Sequence, residues 1–135
     1  MNPELFEVLR QWVSKAEHDL EAARRIIEIE DNCPFDTVCF DCQQAAEKYL
    51  KCLHTYLGVS VPRTHDLKTL ASLIPAEQHF PLRAEDLGEL NPYAVDIRYI
   101  DDLREPRLSD AKRAMDLAAK VRDAVRELVP AQVFD

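Results

Sequence analysis

At 135 residues the chain fits one domain, residues 1–135, and is long enough to bury a core without disulfides or metals. Its composition, 47% hydrophobic and 31% charged, is globular and leaves little room for long disorder. The 2 glycines, Gly58 and Gly88, argue against a turn-rich β fold and against a glycine-rich phosphate loop. A net charge of −8 speaks against a sequence-independent nucleic-acid coat protein, while leaving room for a local basic site.

The first element is expected to be a helix over residues 3–29. Leu9, Trp12, Val13, Ala16, Leu20, Ala23 and Ile27 recur at three- and four-residue steps and make one apolar stripe. Asp31-Asn32-Cys33-Pro34 breaks it. A second helix is expected from an N-cap at Asp36 to Leu57, with Gly58 as its C-cap. Its apolar arc, Val38, Cys39, Cys42, Ala45, Ala46, Tyr49, Leu50, Cys52, Leu53, Tyr56 and Leu57, is broad enough to touch several neighbours. The opposite face collects Asp41, Gln43, Gln44, Glu47, Lys48, Lys51 and His54.

After an extended connector, Thr64 or Asp66 can cap a short helix through Leu67, Leu70, Ala71 and Leu73, stopped by Pro75. Another short helix is expected over residues 81–90. Asn91-Pro92 then reads as an N-cap and first-turn proline, opening a turn or two through Tyr93, Val95, Ile97 and Arg98. The last helix is expected from an N-cap at Ser109 to Pro130, burying Ala111, Ala114, Met115, Ala118, Val121, Val125 and Leu128. The sum is an all-α chain: an antiparallel up-and-down helical bundle of four to five helices plus short helices.

No run approaches the roughly 18 apolar residues of a membrane span. The start of the chain lacks the basic-then-apolar pattern of a signal peptide. Cys33, Cys39, Cys42 and Cys52 are therefore expected as thiols in a reducing, cytoplasmic setting. Cys39 and Cys42 form a C-x-x-C. Cys39, Cys42 and Cys52 fall inside the apolar arc while His54 points away, so buried thiols explain the pattern better than a metal site. The reading includes no metal and no cofactor.

Paired glutamines are less typical of a solvated face than Glu and Lys, and they suit an interface or a pocket because each offers donor and acceptor. The segment from Asp96 to Arg104 carries the densest chemistry. Arg98, Arg104 and Arg107 can grip phosphate, and Tyr93 or Tyr99 can stack on a base. From charge alone, pairing of Asp101 and Asp102 with those arginines is the better account. His65, at a helix start, has capping or packing as its default role, with proton transfer as the alternative.

Taken together, these residues resemble the HEPN family. The resemblance runs from Trp12-x3-Ala16-x2-Asp19-Leu20 to the last helix, and it is most specific at Cys42-Gln43-Gln44-Ala45-Ala46-Glu47-Lys48. Thr64-His65-Asp66-Leu67 and Tyr93-x4-Arg98-Tyr99-x-Asp101 resemble two further motifs of the family. The resemblance implies a helical bundle that dimerises and is often paired with a minimal nucleotidyltransferase in a toxin–antitoxin-like system. It also implies, for many members, a metal-independent ribonuclease that uses an arginine, four to six further residues, then a histidine.

No arginine of this chain is followed by histidine at that spacing; after Arg98 those positions hold Leu103, Arg104 and Glu105. The leading expectation is therefore a homodimeric domain that binds a nucleotide or a nucleotidyltransferase partner. Its ligand-binding residues would be Gln44, Lys48, Arg98, Tyr99 and Asp101. The enzymatic alternative is a ribonuclease with Arg98 on the phosphate and His65 as acid/base. The third is a structural dimerisation module without ligand.

Overall fold

The computed structural model describes residues 1–94 and 105–135. The expected turn through Val95 to Arg98, and with it Arg98, Tyr99 and Asp101, lies outside the described residues.

The first helix, α1, spans Pro3–Ile27. The Asn2 side chain caps it by accepting the amide of Glu4 at 2.7 Å, satisfying a donor that the first turn leaves unpaired. Its expected stripe packs inward through Leu9, Val13, Ala16, Leu20 and Ala23, while Trp12 and Ile27 sit half-buried at the edge. The helix stops two residues earlier than expected, at a cap on Glu28. The second helix, α2, spans Phe35–Leu57. Pro34 rather than Asp36 is its N-cap, and Asp36 lies in the first turn, where its carboxylate favours the helix dipole. Gly58 ends α2 with a φ of 70°, a left-handed conformation that a side chain would strain.

Two short helices follow, α3 at Leu67–Ser72 and α4 at Ala84–Gly88. α3 ends before Pro75 is reached, and α4 is shorter than the span expected for it. Asp66 caps α3 by accepting from the Lys68 amide at 3.0 Å. Gly88 lets the two pack closely, since a Cβ there would stand 2.8 Å from Cδ of Lys68. Asn91–Tyr93 forms a single 3-10 turn. The last long helix, α5, spans Leu108–Leu128. It begins one residue before the expected cap: Arg107 takes the N-cap position and its amide donates to the Asp110 carboxylate at 2.8 Å. Leu117 and Ala124 join its buried face, and Met115 and Leu128 are only half-buried.

The expected all-helical bundle is what the chain forms, with α2 at its centre. α1 runs antiparallel to α2, as the pairs Cys52 Sγ to Leu9 O and Tyr49 Oη to Glu17 Oε1 record. α5 runs in the same direction as α2, with Cys42 Sγ 3.4 Å from Met115 Sδ and Arg122 Nε reaching the Glu17 that Tyr49 also holds. Parallel neighbours need a return path. α3, α4 and the 3-10 turn supply most of it, passing from Leu70 beside His54 to Tyr93, which packs half-buried against the core. No helix among the described residues is long and apolar enough to cross a membrane.

Candidate functional site

The polar face of α2 is not the wet face that its sequence suggests. Gln43, Glu47 and His54 are buried, because the segment over residues 58–74, here called the strap, folds back across them. Glu47 is the centre of the arrangement. One carboxylate oxygen accepts from His65 Nδ1 at 2.7 Å and from Gln43 Nε2 at 3.2 Å, and the other accepts from Lys51 Nζ at 2.9 Å. Gln43 Nε2 also reaches the His65 carbonyl at 3.3 Å. Burial alone would raise the Glu47 pKa; the hydrogen bonds from Lys51, His65 and Gln43 outweigh it and hold the carboxyl below its ordinary range.

The far side of the strap is fixed as tightly. Asn91 Oδ1 accepts the Leu67 amide at 2.9 Å, and Asn91 Nδ2 donates to Asp66 Oδ1 at 2.7 Å. The Thr64-His65-Asp66-Leu67 motif is thus clamped between α2 and the 3-10 turn. His65 itself stays open to solvent, with 64% of its side chain accessible. Nδ1 is the donor to Glu47, which leaves Nε2 as the ring nitrogen that this bond does not engage.

Of the five expected ligand residues, two lie among the described ones. Gln44 donates from Nε2 to Gln43 Oε1 at 2.7 Å, and Lys48 forms a short ion pair with Asp19 of α1. Both stand at the half-buried edge of α2, one turn apart. The structure therefore brings Gln44 and Lys48 to one edge, and His65 to Glu47 on the neighbouring stripe.

Sequence reasoning missed Glu47 as the partner of His65 and missed His54 as a buried group. The available signal was spacing: 43, 47 and 54 fall on one helical stripe, so three polar residues there can face inward together. The buried thiols were legible. Burial raises Cys39 to about 11 and Cys42 and Cys52 to about 12, which keeps them protonated and poor as ligands or nucleophiles near neutrality. No cluster of three potential metal ligands exists among the described residues. A groove of about 380 Å³ lies elsewhere, between α1 and residues 133–135, lined by Glu7, Arg10, Gln11, Ser14 and Phe134 among others, and none of the expected site residues that are described borders it.

Asp41 borders the same edge. Burial, and then the nearby Asp19, push its carboxyl up to about 6, with Lys48 pulling the other way. A raised folded pKa contributes stability that is full below the ordinary value of 3.8 and lost as pH rises through about 6. Asp41→Asn is therefore expected to stabilise the protein at pH 8 by on the order of 1 kcal/mol, a figure already discounted for solvent screening, and to change little at pH 4. Thermal melts at both pH values check this, and an equal effect at the two would contradict it.

An all-helical bundle whose central helix presents a Gln-Gln-x-x-Glu-Lys face to a clamped Thr-His-Asp strap is a helical domain of one recognisable class. The chain belongs to the HEPN domain family, whose model matches residues 9–128. The crystal structure of TT1696 from Thermus thermophilus superposes with a TM-score of 0.74 at 28% identity, covering 90% of this chain and 98% of that one. The crystal structure of ST0689, an archaeal HEPN homologue, superposes with a TM-score of 0.67 at 25% identity, covering 93% of this chain and 97% of that one. No curated protein matches the sequence.

Proposed function

We propose that this HEPN protein works by binding. As a dimer it takes up a nucleotide, serves as partner of a minimal nucleotidyltransferase in a toxin–antitoxin-like pair, or does both, without the arginine-spacer-histidine ribonuclease site. The observation that carries this reading is the commitment of Glu47. Its carboxylate is occupied by His65, Lys51 and Gln43, so the buried stripe of the signature helix fixes architecture. At its edge, beside Asp41, stand an ammonium and an amide, Lys48 and Gln44, groups that recognise rather than react.

A nucleotide phosphate can replace Asp19 as the anion beside Lys48, one charge partner exchanged for another. Arg98 would add a bidentate phosphate contact, Tyr99 a stacking face and Asp101 an acceptor for a base amine or ribose hydroxyl. Calorimetry of the purified protein against a panel of nucleoside mono-, di- and triphosphates tests the reading. The expected result is binding of at least one class, weakened tenfold or more, about 1.4 kcal/mol, by Arg98→Ala. Absence of binding to every nucleotide, with a blank pulldown of a co-expressed nucleotidyltransferase, would overturn it.

One observation favours a second reading, a metal-independent ribonuclease. The 2.7 Å bond from His65 to a buried carboxylate orients an exposed imidazole as a general base or acid for a ribose 2′-hydroxyl, with Arg98 on the phosphate. In that case His65→Ala and Arg98→Ala would each abolish cleavage of RNA by metal-free protein.

A further inference from the structure

His54 is the one residue of the polar stripe without a full set of partners. It lies in the last turn of α2 and is wholly buried. Its Nε2 stands 2.7 Å from the carbonyl oxygen of Leu70 in α3. A carbonyl only accepts, so Nε2 carries the proton and donates, and the ring is the neutral tautomer with an acceptor lone pair on Nδ1. That Nδ1 is buried with no hydrogen-bond partner among the described residues. Almost every buried polar atom in a folded protein is paired, so an orphan of this kind calls for a reason.

Protonation of Nδ1 would place a new N–H and a full charge where nothing accepts the one or balances the other. No charged group among the described residues of the packed elements offers relief. Glu47 and Lys51 on α2 are bonded to each other, and Asp66 is held by Lys68 N, Thr69 and Asn91. Neither these nor Lys68 of α3 acts on the ring, whose charge state is governed by burial and by the Leu70 carbonyl, with a net bias toward the neutral form.

We infer that His54 is an acid-sensitive latch on the strap: neutral, it docks α3 onto α2 through Leu70; protonated, it requires α3 to open so that Nδ1 reaches water. The device regulates the same segment that carries His65, because α3 follows Asp66 directly. It rests on this geometry alone and holds whether the protein binds nucleotide or cleaves RNA. The proton comes from solvent and returns to it. What titrates is therefore an opening equilibrium, governed by one proton, that leaves the α1–α2–α5 core folded.

Amide hydrogen exchange of the intact protein, followed by mass spectrometry on peptides covering residues 67–74 and corrected for intrinsic rates, reads that equilibrium. Between about pH 6.5 and 5 the opening should increase by up to tenfold per pH unit, while α5 peptides stay flat. His54→Gln keeps a donor for Leu70 but cannot titrate, so its exchange should be independent of pH over that range; His65→Gln should retain the dependence. The ring proton signals of His54 in the wild type give a second reading that needs no variant. They should not titrate while α3 remains protected. Exchange that is flat with pH in the wild type, a dependence that persists in His54→Gln or vanishes in His65→Gln, or a His54 ring that titrates normally within protected α3 would each overturn the latch.

Discussion

Replacing Glu47 with alanine is expected to lower the unfolding free energy by about 2–3 kcal/mol, a large loss for a site on the polar face of a helix. The reason is what the carboxylate leaves behind. Lys51, His65 and Gln43 all donate to it, and Glu47 is only 4% exposed. Truncation strands the buried Gln43 amide, takes the shared acceptor from Lys51 and His65, and unfastens the strap at the same time. Glu47→Gln retains an acceptor and the side-chain shape, so its cost should be about half as large.

The pH dependence has a definite sign. Glu47 titrates below its ordinary value of 4.5 in the folded state, so its contribution is present above that value and is lost as pH falls through the folded pKa. Denaturant titrations should therefore show a constant gap between wild type and Glu47→Ala from pH 6 to 8, closing below about 4.5. A Glu47→Ala protein as stable as wild type at pH 7 would show that the strap is held by its apolar contacts alone.

Truncating Tyr49 should do more damage still, about 3–5 kcal/mol for Tyr49→Ala. Its ring is fully buried and stacks on Phe134 with centroids 6.2 Å apart and planes 10° from parallel. Its hydroxyl donates to Glu17 at 2.7 Å, and Arg122 donates to the same oxygen at 2.5 Å while its guanidinium lies 5.7 Å from the centre of the Phe134 ring. One residue thus ties α1, α2, α5 and Phe134, the cap of a 3-10 turn at Ala131–Val133. Tyr49→Phe keeps the packing and removes one donor from Glu17, so it should cost about 1 kcal/mol. The pair of variants separates cavity from hydrogen bond. Equal losses, measured by thermal unfolding, would contradict the assignment of most of the energy to packing.

The residues that were legible from sequence are those whose burial follows from periodicity. The α1 stripe, the three core thiols and the Gly58 cap needed only the 3.6-residue repeat and the left-handed tolerance of glycine. Those that were not legible owe their positions to partners distant in the chain. Gln43, Glu47 and His54 look wet by type, and beyond their neighbours on α2 it takes His65, 18 residues past Glu47, and the Leu70 carbonyl, 16 past His54, to offset the cost of burying them. Helix starts failed for a related reason. Ser109 and Asp36 are good caps locally, but the bond from the Arg107 amide to Asp110 starts α5 at Leu108, and Phe35, packed against the core, starts α2 before Asp36.

The family signature on α2 therefore specifies a fold and a clamped strap before it specifies any chemistry. The binding account and the ribonuclease account share every residue of that clamp and differ only in what His65 does. Incubation of total cellular RNA with metal-free protein at neutral pH is the direct test. The binding account predicts intact RNA at protein concentrations that saturate nucleotide binding. Cleavage that disappears in both His65→Ala and Arg98→Ala, while Lys48→Ala retains it, would contradict that account and make the Glu47–His65 pair the centre of an enzyme.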